Sequence, residues 1–305
     1  MNEPPLTPVA ATNNKKTGQC HGLYETLASG RRGWSLFLFF LLTQYFLSDL
    51  KKLLHFPNFR HNGIPFCIMS KSKTQDPNHT TLSGEHLIDE YVISHSDAEP
   101  DYLYRLWRAT HIRLLHGRMA SGHLQGRLLK MFVEMIRPEN IIEVGTFSGY
   151  SGLCMAEGLA SVYGDDMTRG HLYTFEINDE QEDFTRPWIE GSPYAKRITF
   201  IIGDAITAAP HIAAAEGISF DMAFIDGDKR TYIETYEALL PLMSPGGFIL
   251  ADNTLWDGHV VEKEYDHDRQ TVGIRAFNDH IAADERITRV ILPLRDGLTI
   301  IRKNA

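Results

Sequence analysis

Between residues 140 and 303 the chain alternates short apolar runs with longer stretches of mixed polarity. NIIEVG (140–145), HLYTFEI (171–177), ITFIIGD (198–204), FDMAFID (220–226) and GGFILAD (246–252) have the length and composition of buried strands, and most end in an acid or a glycine. Helical spacing fills the gaps near 149–160, 178–190, 205–215, 229–243 and 271–284. Such alternation predicts right-handed βαβ crossovers and an α/β fold with a mainly parallel sheet covered on both faces. TRVILPL (288–294) and GLTIIRK (297–303) are separated by Arg295 and Asp296 alone. So short a link makes a hairpin and not a crossover, so one of these two strands runs antiparallel at that edge. Upstream, mixed patterns over 84–95, 101–117 and 123–136 predict three helices, the last stopping before Pro138.

The first 68 residues break with this pattern, and the expected domain covers 69–305. Residues 1–30 are polar and aperiodic. WSLFLFFLLTQYFL (34–47) then lies between Arg31–Arg32 and Lys51–Lys52. The run is shorter than the roughly 20 residues of a membrane span. It has no small-residue cleavage site after it, and basic pairs on both sides give no orientation. A weak signal anchor, a membrane-surface helix and an upstream read-through before Met69 remain as readings; a membrane role for the rest of the chain is not expected.

A net charge of −9 disfavours a primary nucleic-acid binder. The three cysteines, Cys20, Cys67 and Cys154, are odd in number and outside any CxxC. They point to a reducing compartment, the cytoplasm, and to no zinc site.

In open α/β sheets ligands bind beyond the carboxyl ends of the strands. Asp226 and Asp252 each close a strand run, and consecutive parallel strands are expected to be neighbours. Asp226, Asp252 and Asn253 would then present three hard oxygen ligands to one crevice, a set suited to Mg²⁺, Mn²⁺ or Ca²⁺. Helix capping is the plainer role for these acids. EVGTFSGYS (143–151) follows the first strand, where Gly145 and Gly149 allow close backbone approach, and Glu176 ends the next strand as a partner for ribose hydroxyls. With neither GxGxxG nor GKS/T present, an adenosyl ligand without a diphosphate is favoured over NAD or ATP.

Taken together these motifs resemble the metal-dependent class I O-methyltransferases of the caffeoyl-CoA and catechol type. MASGHLQG (119–126) resembles the loop that closes over the methionine part of S-adenosylmethionine, and EVGTFSGYS the first cofactor motif. FIDGDK and LADNTLWDG resemble the metal and base motifs, and LPLRDGLTIIRK the terminal hairpin. The resemblance implies a Rossmann-like fold with a seven-stranded, mostly parallel sheet, an antiparallel terminal hairpin and helices on both faces. It implies S-adenosylmethionine and a divalent cation as cofactors, Mg²⁺ foremost, and a homodimer.

Carried over position by position, it assigns Ser121, Glu143, Gly145, Thr146, Ser151, Glu176, Ala205 and Asp228 to the cofactor, with Glu176 at the ribose and Ala205 beside the adenine. Asp226, Asp252 and Asn253 become the metal ligands and Lys229 the catalytic base. A phenol with a reference pKa near 10 needs help to ionise, and Lys229 can take the proton provided that burial and a nearby cation depress its own pKa. One departure is Asp257, which stands where the plant caffeoyl-CoA enzymes have a substrate-contacting Asn. The basic residue that holds coenzyme A in those enzymes also has no counterpart. A small vicinal diphenol contacted by Asp226, Trp256 and Asp257 is therefore the expected acceptor, ahead of caffeoyl-CoA itself. Tyr150 and Trp256 either wall this flat substrate or belong to the core, and His123 and His259 are read as polar surface residues. A tRNA hydroxyuridine O-methyltransferase of the same fold is the rival enzyme. A non-catalytic S-adenosylmethionine-binding protein is the other rival, against which the joint retention of ligands and base argues.

Overall fold

The computed structural model describes residues 84–305. The amino-terminal extension, its apolar run, Cys20, Cys67 and the proposed start at Met69 lie outside the described residues.

Three helices lead in: α1 (Gly84–Ser94), α2 (Asp101–Arg113) and α3 (Gly122–Ile136). Strands and helices then alternate as β1 (Asn140–Val144), α4 (Tyr150–Tyr163), β2 (His171–Glu176), α5 (Glu182–Glu190), β3 (Ile198–Ile202), α6 (Ala205–Glu216) and β4 (Phe220–Ile225). The chain closes with α7 (Tyr232–Leu239), β5 (Met243–Asp252), α8 (Arg269–Ala283), β6 (Ile287–Leu292) and β7 (Leu298–Lys303).

The seven strands form one sheet in the order β3-β2-β1-β4-β5-β7-β6. Strands β1 to β5 are parallel, and β7 runs antiparallel to both of its neighbours. The direction of crossover reverses between β1 and β4, which is where such sheets open a crevice. Side-chain alternation puts the two faces of β4 into separate cores. Met222 and Phe224 join Leu129, Val133, Met155 and Leu250 on the α3–α4 side. Ala223 and Ile225 join Tyr232, Tyr236, Phe277 and Ile301 on the α7–α8 side. Asp204 caps α6 by accepting from Ile206 N at 3.0 Å, and Asp268 caps α8 by accepting from Thr271 N at 2.8 Å.

Three boundaries differ from the sequence expectation. Strand β5 starts at Met243 and not at Gly246, so Ser244 and Pro245 lie inside it; the register with β4 shifts here and Gly246 takes φ 79°. A bulge accommodates turn-type residues that composition alone assigns to a loop. The helix expected over 229–243 is three pieces, with 3₁₀ turns at Lys229–Thr231 and Leu240–Leu242 flanking α7. The link between β6 and β7 is five residues, 293–297, although the antiparallel pairing is as expected. No helix among the described residues is long and apolar enough to cross a membrane.

Candidate active site

At the carboxyl end of β1 the backbone turns sharply through Gly145 (φ 100°), whose N–H donates to Phe175 O at 2.9 Å. A Cβ on Gly145 would stand 2.4 Å from the Asp226 carbonyl oxygen, so only glycine lets the β1 and β4 ends come this close. Beneath the turn, Glu143 is fully buried and accepts from Ser151 Oγ at 2.5 Å and Thr174 Oγ1 at 2.6 Å. Burial pushes its pKa up to about 7 against the pull of those two hydroxyls. Glu143 and Ser151, both assigned to the cofactor from sequence, thus hold each other under the turn. Thr146 joins them through a 2.6 Å contact with Thr174 Oγ1.

Glu176 stands at the rim of the same crevice, one carboxylate oxygen accepting from Phe147 N at 2.8 Å and the other from Asn178 N at 2.9 Å. Ala205, at the start of α6, is buried. Asp228 caps the Lys229–Thr231 turn through Arg230 N at 3.0 Å and pairs with the Arg230 guanidinium, which holds its carboxyl below the ordinary range. Ser148 Oγ, in the middle of the turn, is buried with no partner among the described residues. An orphaned hydroxyl beside Gly145 and Glu176 fits a polar ligand in this crevice. Sequence reasoning passed over it because a serine in a turn carries no signal of its own.

Asp226, Asp252 and Asn253 lie at the carboxyl ends of two neighbouring strands. Ile225 of β4 pairs with Ala251 of β5, so Asp226 and Asp252 extend from adjacent strand ends. Asp252 is 4% exposed; its Oδ2 accepts from Gln125 Nε2 at 2.7 Å and its Oδ1 from Asn253 N at 2.9 Å. Burial, then the neighbouring charge of Asp226, pushes its pKa up to about 6. Asn253 takes φ 57° and turns its amide nitrogen toward Asp296 Oδ2 at 3.4 Å. Two carboxylates and an amide oxygen make a hard donor set that fits a divalent cation.

Lys229 lies beside them, its ammonium donating to Asp226 Oδ1 at 2.8 Å, Tyr232 OH at 2.9 Å and Gly227 O at 3.1 Å. The condition set for it from sequence, a depressed pKa, is not met by the protein groups alone. Burial pulls Lys229 down, but the Asp226 carboxylate and Tyr232 outweigh it and hold the group above the ordinary lysine range. Tyr232, 1% exposed, reaches Asp252 O at 3.0 Å and Ile225 O at 3.2 Å, so a single phenol ties the two strand ends to the lysine.

Trp256 and Asp257 form a strained turn with φ of 45° and 56°, followed by Gly258 at 81°. Non-glycine residues in this region cost about 1 kcal/mol or more each and persist where the surroundings hold them. Here Leu255 N and Trp256 N donate to Asp296 O at 2.7 and 3.1 Å. The Trp256 ring lies 5.9 Å from Lys229 Nζ, while Asp257 is exposed at the rim. Tyr150 proves to be core, 2% exposed and donating to Glu99 at 2.5 Å. His123 contacts Asp97 O at 2.6 Å and His259 stacks on Tyr265, so neither joins the site. Gln125, Tyr232, Arg295 and Asp296 complete the site, and sequence reasoning gave none of them a role. Gln125, Arg295 and Asp296 lie inside the quoted motifs; the signal was their position there.

A family model described as O-methyltransferase matches residues 93–304. The chain belongs to the O-methyltransferase family. A caffeoyl-CoA O-methyltransferase from Stellaria longipes is 31% identical over 233 residues, which cover 73% of this chain and 93% of that one. Tricin synthase 2 from Oryza sativa subsp. japonica is 36% identical over 196 residues, 62% of this chain and 64% of the rice protein. Among solved structures, the Bacillus cereus O-methyltransferase in complex with SAH superposes with TM-score 0.64 at 27% identity, covering 72% of this chain and 97% of that one. This O-methyltransferase is thus a class I, S-adenosylmethionine-dependent transferase.

Proposed function

We propose that the chain methylates one hydroxyl of a small vicinal diphenol and that a divalent cation held by Asp226, Asp252 and Asn253 is required. The observation that carries this reading is the placing of Asp226 and Asp252 at two adjacent strand ends, with Asn253 next in the chain and Lys229 2.8 Å from Asp226. The phenolic acceptors in the names of the caffeoyl-CoA relatives support the substrate class. When bound, S-adenosylmethionine supplies the methyl group and the cation, Mg²⁺ in the first instance, supplies Lewis acidity toward the acceptor oxygens.

The chain's own residues do the rest. Asp226, Asp252 and Asn253 orient the acceptor against the cofactor side, a gain in proximity and alignment. Trp256 walls a flat ring next to Lys229. Once the charge of Asp226 is drawn off, burial is no longer outweighed and Lys229 gives up its own proton to solvent, and the neutral Nζ amine then takes the phenol proton. Tyr232 keeps Lys229 aimed while this happens.

The test is methyl transfer from radiolabelled cofactor to a panel of diphenols, before and after stripping of metal. Transfer that disappears with chelator and returns with Mg²⁺ is the expected result. Full turnover in excess EDTA overturns the metal requirement, and silence toward every diphenol overturns the acceptor class.

A further inference from the structure

Asp252 is a buried carboxylate whose orientation is set from outside the metal-type donor set. Its Oδ1 is fixed locally by Asn253 N at 2.9 Å, whereas its Oδ2 receives Gln125 Nε2 from the first turns of α3 at 2.7 Å. Gln125 is 1% exposed, so this amide has no solvent to exchange with. A glutamine amide can present either its NH₂ or its carbonyl face, and the wrong face would aim a carbonyl at a carboxylate. Arg295 decides the matter. Its Nη1 donates to Gln125 Oε1 at 2.8 Å, and a guanidinium is a donor only, so the NH₂ face must point at Asp252. The same guanidinium is anchored by Ser121 O and lies 3.4 Å from Ala120 O. Three segments distant in sequence therefore meet: the start of α3, the end of β5 and the β6–β7 link.

We propose that Gln125 is a positioning residue for Asp252 and that Arg295 sets the amide of Gln125, so that the two together tune the affinity of the site for its cation. The inference rests on the metal reading above. Groups of this kind, which hold a ligand without touching the ion, typically change metal affinity by about 10–100-fold when removed. A merely structural role for Gln125 would lower stability and leave the affinity alone.

The measurement is Mn²⁺ binding to the free protein by calorimetry, with S-adenosylmethionine affinity in the absence of metal as a companion reading. Gln125→Leu, close in volume but unable to donate, is expected to weaken Mn²⁺ binding about 10–100-fold while cofactor affinity stays within about twofold. Arg295→Ala, at an exposed position, is expected to weaken Mn²⁺ binding by a smaller factor, about three- to tenfold, with Arg295→Lys recovering part of the loss. Asp252→Ala serves as the reference and should abolish binding. Loss in Asp252→Ala together with wild-type Mn²⁺ affinity in a folded Gln125→Leu overturns the positioning role and leaves the metal site standing. If Gln125→Leu does not fold, unchanged affinity in Arg295→Ala overturns it. Wild-type Mn²⁺ binding by Asp252→Ala overturns the metal site and this inference together.

Discussion

The Lys229 ammonium sits 2.8 Å from Asp226 Oδ1 and is only 6% exposed. One carboxylate thereby serves two neighbours, the lysine that it charges and the cation that the donor set fits. Replacing Lys229 by Met is expected to lower the rate with a catechol by roughly 10²–10⁴-fold, the usual contribution of a general base. Cofactor affinity should barely change. The loss should shrink for a nitrocatechol, whose phenol is more acidic; an equal loss across acceptors, with chemistry limiting, would remove Lys229 as the base.

Metal affinity should depend on pH through Asp252. Its pKa is raised to about 6, and a protonated carboxyl cannot ligate a cation. Mn²⁺ affinity of the free protein is expected to hold above that value and fall as pH drops through it. Calorimetry at pH 5, 6, 7 and 8 checks this, and a flat profile would show that Asp252 does not bind the ion.

Glu143 makes a prediction about stability. Its folded pKa of about 7 lies above its ordinary value of 4.5, so the folded state binds more protons between these two. Stability contributed by the proton is fully present below pH 4.5 and is lost as pH rises toward 7, a change on the order of 3 kcal/mol. Thermal unfolding of the ligand-free protein across that window should show the decline. Glu143→Gln, which keeps the shape and cannot titrate, should make the decline shallower and leave the part that the raised Asp252 adds up to about pH 6; an unaltered slope would place the titration elsewhere.

The tRNA alternative has a direct check. With a net charge of −9, binding to tRNA is expected to be weak at physiological salt and to lack the steep salt dependence of many phosphate contacts. Tight binding with a steep slope would restore that alternative.

A chain beginning at Met69 is expected to bind S-adenosylmethionine and turn over like the full chain, since every site residue lies between Ser121 and Asp296. Insolubility of the shortened chain, or firm membrane fractionation of the full one, would give residues 1–68 a structural or anchoring role.

The strands were legible because a strand covered on both faces leaves an unbroken apolar run, as in FDMAFID and GGFILAD. Asp226 and Asp252 were legible for the same reason, as acids closing such runs. The bulge at 244–247 was not, since Pro and Gly signal a turn whether or not a neighbouring strand absorbs them. Gln125 and Arg295 were hidden by distance: their partners lie far along the chain, and a lone polar residue shows no period. The sign of the Lys229 shift was hidden too, because spacing shows that a carboxylate is near and not that it outweighs burial.

The insertion of β7 between β5 and β6 ties the acceptor side to the last segment of the chain. The residues of the glycine-bearing turn and its rim, from Gly145 to Glu176, lie on the loop after β1, on α4 and on β2. The acceptor side is different: Leu255 and Trp256 are pinned by the Asp296 carbonyl, and Thr254 N by Gly297 O at 3.1 Å. The turn that carries Asn253, Trp256 and Asp257 is therefore locked by a segment some forty residues further along the chain. Loss of the last strand would unfasten the acceptor side, and the loop at Ser121 that Arg295 holds, while the hydrogen bonds of the Gly145 turn and of Glu176 stay within the first three strands and their loops.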